Sequence, residues 1–92
     1  MLRNFSDKLT TSDDKGEFEL NCLMMIIEDK ARHQWAVRLK ITKKYNDSNA
    51  RTTLLEKFEK DMAREIDAQR FVLDELEGYP EFRSKVLAGF QL

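Results

Sequence analysis

Residues 17–45, EFELNCLMMIIEDKARHQWAVRLKITKKY, decide how the rest of the chain is read. The stretch holds no glycine or proline, so one long helix is the first candidate. Stepping about 100° per residue scatters its apolar side chains around the whole wheel. Phe18 and Ala36 coincide, Leu20 points almost the opposite way, Val37 falls beside Glu19 and Leu39 beside Asn21. A helix without a stripe must be buried on every side, which a small chain cannot arrange. Period two fits better. Trp35, Val37, Leu39 and Ile41 alternate with Ala36, Arg38, Lys40 and Thr42, and Phe18, Leu20 and Cys22 alternate with Glu17, Glu19 and Asn21. The stretch therefore predicts a β-hairpin, one strand near 17–27 and the other near 34–44, joined by the polar residues 28–33. One sensible register sets Met24 opposite Val37 and Cys22 opposite Leu39. Its other face then pairs Glu17 with Lys44 and Asn21 with Lys40.

Outward from the hairpin the pattern changes. On the N-terminal side Leu2, Phe5 and Leu9 stand at i, i+3 and i+7, which predicts a short helix, and the polar run to Gly16 closes residues 1–16 as a turn. On the C-terminal side Asn46, Asp47, Ser48 and Asn49 form a loop of turn formers. Beyond it Leu54, Leu55, Phe58, Met62, Ile66, Val72, Leu73 and Leu76 share one sector of a helical wheel, with charged residues opposite. This predicts a main amphipathic helix over 50–77, with Thr53 and Glu56 at capping-box spacing, Asn49 as a competing cap and Gly78 as its stop. Pro80 opens a last helix over 80–91, where Phe82, Val86 and Phe90 recur every four residues. The expected fold class is α+β in the order α-β-β-α-α, with the main helix covering the hairpin, and residues 1–92 forming one domain.

The bulk properties exclude several functions. A chain of 92 residues buries only about 60–65% of its unfolded surface, so its core is thin. One cysteine leaves neither a disulfide framework nor a cysteine zinc site. The longest apolar run, Cys22 to Ile27, is far too short to span a bilayer. The first residues lack the apolar core of a signal peptide, so a cytoplasmic location is expected. No glycine-rich phosphate loop, nucleophile elbow or histidine metal spacing occurs. Cys22 lies among apolar neighbours, whereas the single histidine, His33, falls in the hairpin connection, so no nucleophile–base pair forms. The carboxylate pairs Asp13-Asp14, Glu28-Asp29 and Asp74-Glu75 are adjacent and solvated. A non-catalytic protein without metal or cofactor is expected.

Two features remain as candidate sites. The far end of the first strand is apolar on both faces, because Leu23, Met25 and Ile27 alternate with Cys22, Met24 and Ile26. Leu23, Met25 and Ile27, with Phe71 on the back of the main helix, are the candidate surface for a protein partner or for a homodimer. Recognition would proceed by strand addition at the hairpin edge or by docking on the apolar face. The second feature is charge. Net charge is −1, but residues 1–29 carry −4, residues 30–51 carry +6 and residues 52–92 carry −3. Arg38, Lys40, Lys43 and Lys44 could track a phosphate backbone, with Trp35 and Tyr45 as stacking platforms. The favoured expectation is a small regulatory interaction protein that self-associates and masks or bridges a protein partner, as an inhibitor, adaptor or antitoxin does. A nucleic-acid- or nucleotide-binding module is the alternative.

Overall fold

The computed structural model describes residues 2–90. Four strands come first: β1 (Asn4–Asp13), β2 (Gly16–Asp29), β3 (Gln34–Tyr45) and β4 (Thr52–Met62). Two helices follow, α1 (Glu65–Glu75) and α2 (Pro80–Phe90). The strands form one antiparallel meander in the order β1-β2-β3-β4. The order is therefore β-β-β-β-α-α, and the expected α-β-β-α-α is wrong at two places.

The first error is the N-terminal helix of residues 1–16. From Asn4 onward this segment is strand, pairing with β2 from Asn4↔Met25 to Asp13↔Gly16. Residue 1 of that expected helix lies outside the described residues. Phe5 and Leu9 turn toward the helices as alternate residues of a strand, and Asp7 between them meets Lys85 of α2. The second error is the helix over 50–77. Residues 52–62 are an edge strand paired to β3, and only Glu65–Glu75 is helical. Thr53 and Glu56 thus cap nothing; they face Thr42 and Lys40 across the ladder. The C-terminal helix stands at Pro80–Phe90, and residue 91 of the expected span lies outside the described residues.

The hairpin of β2 and β3 is present, displaced by two residues from the register drawn from the sequence. Cys22 faces Ile41, Met24 faces Leu39, Glu19 faces Lys44, Asn21 faces Thr42 and Leu23 faces Lys40. A shift of two leaves every side chain on its own face, so the core assignment survives it. The connection needs no Asn-Gly dipeptide. It is a four-residue loop in which the Asp29 carboxylate accepts the Arg32 N–H at 3.2 Å and His33 takes the left-handed φ of 54°. The β1–β2 connection is tighter and does need its glycine, since Gly16 has φ 125°.

Both helices lie on one face of the sheet. There Cys22, Met24 and Ile26 of β2 and Val37, Leu39 and Ile41 of β3 are buried under Ala68, Val72, Leu73 and Leu76 from α1 and its C-cap, and under Phe82, Val86 and Phe90 from α2. α2 sits on the β1 side: Phe82 meets Phe5 edge-to-face at 6.5 Å, and the Leu2 N–H donates to the Gly89 carbonyl at 3.2 Å. Gly89 permits that approach, since a Cβ there would fall 2.7 Å from the Leu2 side chain. Arg83 of α2 donates from Nε to the Leu73 carbonyl at 3.1 Å, satisfying a C-terminal carbonyl of α1, whose last turn has no basic residue of its own. Overall dimensions are 46 × 24 × 16 Å. Sixteen ångströms accommodates one sheet and one helical layer, so the second face of the sheet has no cover from the described residues.

Candidate interaction surface: the open face of the sheet

Each inward side chain of β2 and β3 has an outward neighbour, and the outward set is unusual for a solvated face. Leu23 is 52% exposed, Met25 38%, Ile27 36% and, on β4, Phe58 52%. The ladder gathers them. Asn4, Met25, Arg38 and Phe58 form one row across the four strands, and Ser6, Leu23, Lys40 and Glu56 form the next. Ile27 lies one step along β2, opposite Ala36. A shallow groove runs between Leu23, Met25, Arg38, Lys40, Glu56 and Phe58. It continues past Phe58 to Ile27 and Lys60. Most large apolar residues that stay exposed on a small protein are scattered singly; here four fall together on the one uncovered face.

Charge borders the apolar patch. Arg38 lies over the Phe58 ring at 4.7 Å. Lys40 pairs with Glu56 at 3.5 Å, with both side chains largely in water, so the pair is weak. Lys8 follows on β1, in the row Lys8, Asn21, Thr42, Thr53. Arg51 folds over this end of the face, donating to the Thr42 hydroxyl at 3.0 Å, and so buries Thr42.

The residues singled out from the sequence separate. Leu23, Met25 and Ile27 are brought together with Arg38 and Lys40, so the apolar and basic candidates share one surface. Lys44 stands farther along the same face, opposite Glu19. Lys43 does not join them. It alternates onto the opposite face, where its ammonium lies 4.1 Å from the Phe18 ring centre and 3.2 Å from Asp13. Phe71 also departs from expectation: it is half-buried and packs against the core on α1. A single helical wheel does not run through residues 50–77, because the chain breaks between β4 and α1 and the phase resets there. Strand addition at the hairpin edge is blocked, because β1 and β4 occupy both edges of the β2–β3 hairpin. Phe58, expected on the stripe of a helix, stands instead on β4 with 52% of its surface exposed.

The proposed stacking aromatics point elsewhere. Trp35 packs on the core with Arg3 over its ring at 4.8 Å. The Tyr45 hydroxyl donates to Asp13 at 2.6 Å. That bond, with the Lys15 N–H and the Lys43 ammonium also on Asp13, holds the Asp13 carboxyl down at about 2. Lys85 similarly lowers Asp7. Cys22 is 1% exposed, and burial pushes its thiol up to about 12, the opposite of an activated nucleophile. Among the described residues no group of three His, Cys, Asp or Glu is placed to hold a metal ion, and no helix is long and apolar enough to cross a membrane. Comparison with protein-family models, curated proteins and solved structures found no match.

Proposed function

We propose that this chain is a non-catalytic interaction module that binds a protein partner on the open face of its sheet, acting as an inhibitor, adaptor or antitoxin does, by covering or bridging that partner. One observation carries the reading: Leu23, Met25, Ile27 and Phe58 are exposed side by side on the single face that no helix covers. Such a patch is costly to leave in water and gains free energy when a partner covers it. The inner face of the same sheet is already covered by two helices.

The test is site-dependent crosslinking. A photoreactive side chain replaces Met25, and in a control it replaces Leu87, which is exposed on α2. In extract of the native cell, a discrete protein adduct from position 25 and none from position 87 supports the reading. Adducts of equal yield from both positions, or none from position 25, contradict it. Nucleic-acid contact is the second reading, favoured by Lys8, Arg38, Lys40 and Lys44 sharing the face and opposed by the packing of the half-buried Trp35 against the core and the engagement of Tyr45. It predicts low-salt binding of mixed oligonucleotides that is lost in Lys40→Glu.

A further inference from the structure

We infer that the occupant of the open face is an amphipathic α-helix of the partner, with carboxylates bordering its apolar stripe. This rests on the reading of that face as protein-binding and names the chemistry it would recognise.

Charge complementarity is the first ground. The groove on the open face is lined by the cations Arg32, Arg38, Lys40, Lys57 and Lys60 against the carboxylates Asp29, Glu56 and Asp61. The whole chain is −1, so positive charge is concentrated where the apolar patch is. Among the described residues Lys8 and Arg38 form no ion pair, and Lys60 at the end of the groove forms none either. Their complement is acid placed beside apolar side chains.

Shape is the second ground. Leu23, Met25 and Ile27 make a straight column along β2, about 14 Å long at 3.4 Å per residue. A helix rising 1.5 Å per residue matches that column with about ten residues, three of them on its stripe at i, i+3 or i+4, and i+7. Arg38 and Lys40 lie along one side of the column, opposite Met25 and Leu23, where one border of such a stripe would fall; Asn4 and Ser6 flank the other side, and Lys8 stands one step beyond its end, opposite Asn21. Ion pairs border the inner helices as well: Arg3, just before β1, meets Glu65 of α1 at 2.9 Å, and with the opposite polarity Asp7 of β1 meets Lys85 of α2.

The same facts disfavour other occupants. A two-fold dimer through this face would bring together two groove linings of the same net positive sign. A single strand of nucleic acid is acidic, but the column is aliphatic, and its one aromatic neighbour, Phe58, already carries Arg38.

The experiment uses the full chain and three probes: a fluorescent peptide of about 14 residues with a leucine stripe bordered by glutamates, the same peptide with every glutamate replaced by lysine, and a mixed-sequence single-stranded oligonucleotide. Binding is read by anisotropy at about 50 mM salt and mapped by amide chemical shifts. The expected result is binding of the acidic peptide, with shifts gathered at Leu23, Met25, Arg38, Lys40 and Phe58. Arg38→Glu with Lys40→Glu should weaken it by about tenfold or more and favour the lysine peptide instead. All these positions except Met25 are well exposed, and circular dichroism checks that the variant folds. Equal binding of both peptides at those residues overturns the acidic preference while leaving the protein-binding reading in place. Oligonucleotide binding there without peptide binding overturns both. Concentration-dependent shifts at those residues in the free protein point to a second copy and overturn the helix. Absence of peptide binding up to about 1 mM overturns it as well.

Discussion

Replacing Phe58 by alanine separates the strand from the helix that its spacing imitates. On the buried stripe of a helix, Phe→Ala costs about 3–5 kcal/mol, a lost transfer term plus a cavity. On the open face Phe58 keeps 52% of its surface in water. About half of the transfer term is then at stake and no enclosed cavity is left, so the loss is about 1 kcal/mol. Removing the ring from under Arg38, 4.7 Å away, adds about 0.5 kcal/mol. The total is about 1.5 kcal/mol. Urea unfolding followed by Trp35 fluorescence measures it; with a slope of about 1 kcal/mol per molar for a chain of this size, the midpoint should fall by about 1.5 M. Phe82, 1% exposed under α2, is the internal reference, and Phe82→Ala should cost about 3–5 kcal/mol and leave little folded protein. If Phe58→Ala costs as much as Phe82→Ala, the ring is enclosed and the open face does not exist as described.

The other predictions concern the turns, the core thiol and the charge pairs. Gly16→Ala forces a side chain onto φ 125° and should cost about 1–3 kcal/mol, seen as a lower Tm in circular dichroism. Cys22, buried and with its thiol pushed up to about 12, should resist a thiol reagent in native buffer near pH 8 and react at once in guanidinium. Arg83→Ala leaves the Leu73 carbonyl without its charged donor and should cost about 1–2 kcal/mol in urea unfolding. Asp13 is held at about 2, below the 3.8 of a free aspartate; its contribution is therefore full at neutral pH and disappears as pH falls from about 4 toward 2. The difference in Tm between wild type and Asp13→Asn should shrink over that interval and be flat above it.

What the sequence disclosed follows from where each strand sits. β3 is central, with buried Val37, Leu39 and Ile41 on one side and Arg38 and Lys40 on the other, so its alternation is plain. β2 is central too, and its doubly apolar end puts Leu23, Met25 and Ile27 on the outer face, where they are exposed. β4 is an edge strand, exposed on almost every residue, and alternation is lost when both faces are solvated. Lys57 and Glu59 remain exposed, so nothing required them to be apolar, and charge on an edge strand discourages further pairing. Two register irregularities break its period further, the second near Asp61, whose φ is 64°. Leu54, Leu55, Phe58 and Met62 then fall at helical spacing by coincidence. β1 fails for a related reason: Asp7 occupies an inward position and is matched by Lys85 of α2, an ion pair no local pattern announces. The threonines at 10, 11, 52 and 53 were the available signal, being β-branched residues that favour strands.

Residues 52–62 are the fourth strand, which completes a sheet with one face that the described residues leave bare. Backbone chemical shifts and cross-strand nuclear Overhauser effects over this segment test that most directly. Extended shifts are expected from Thr52 to Met62, with contacts from Arg38 to Phe58 and from Lys40 to Glu56. Helical shifts through residues 54–62, with sequential amide contacts in place of those cross-strand pairs, would contradict it.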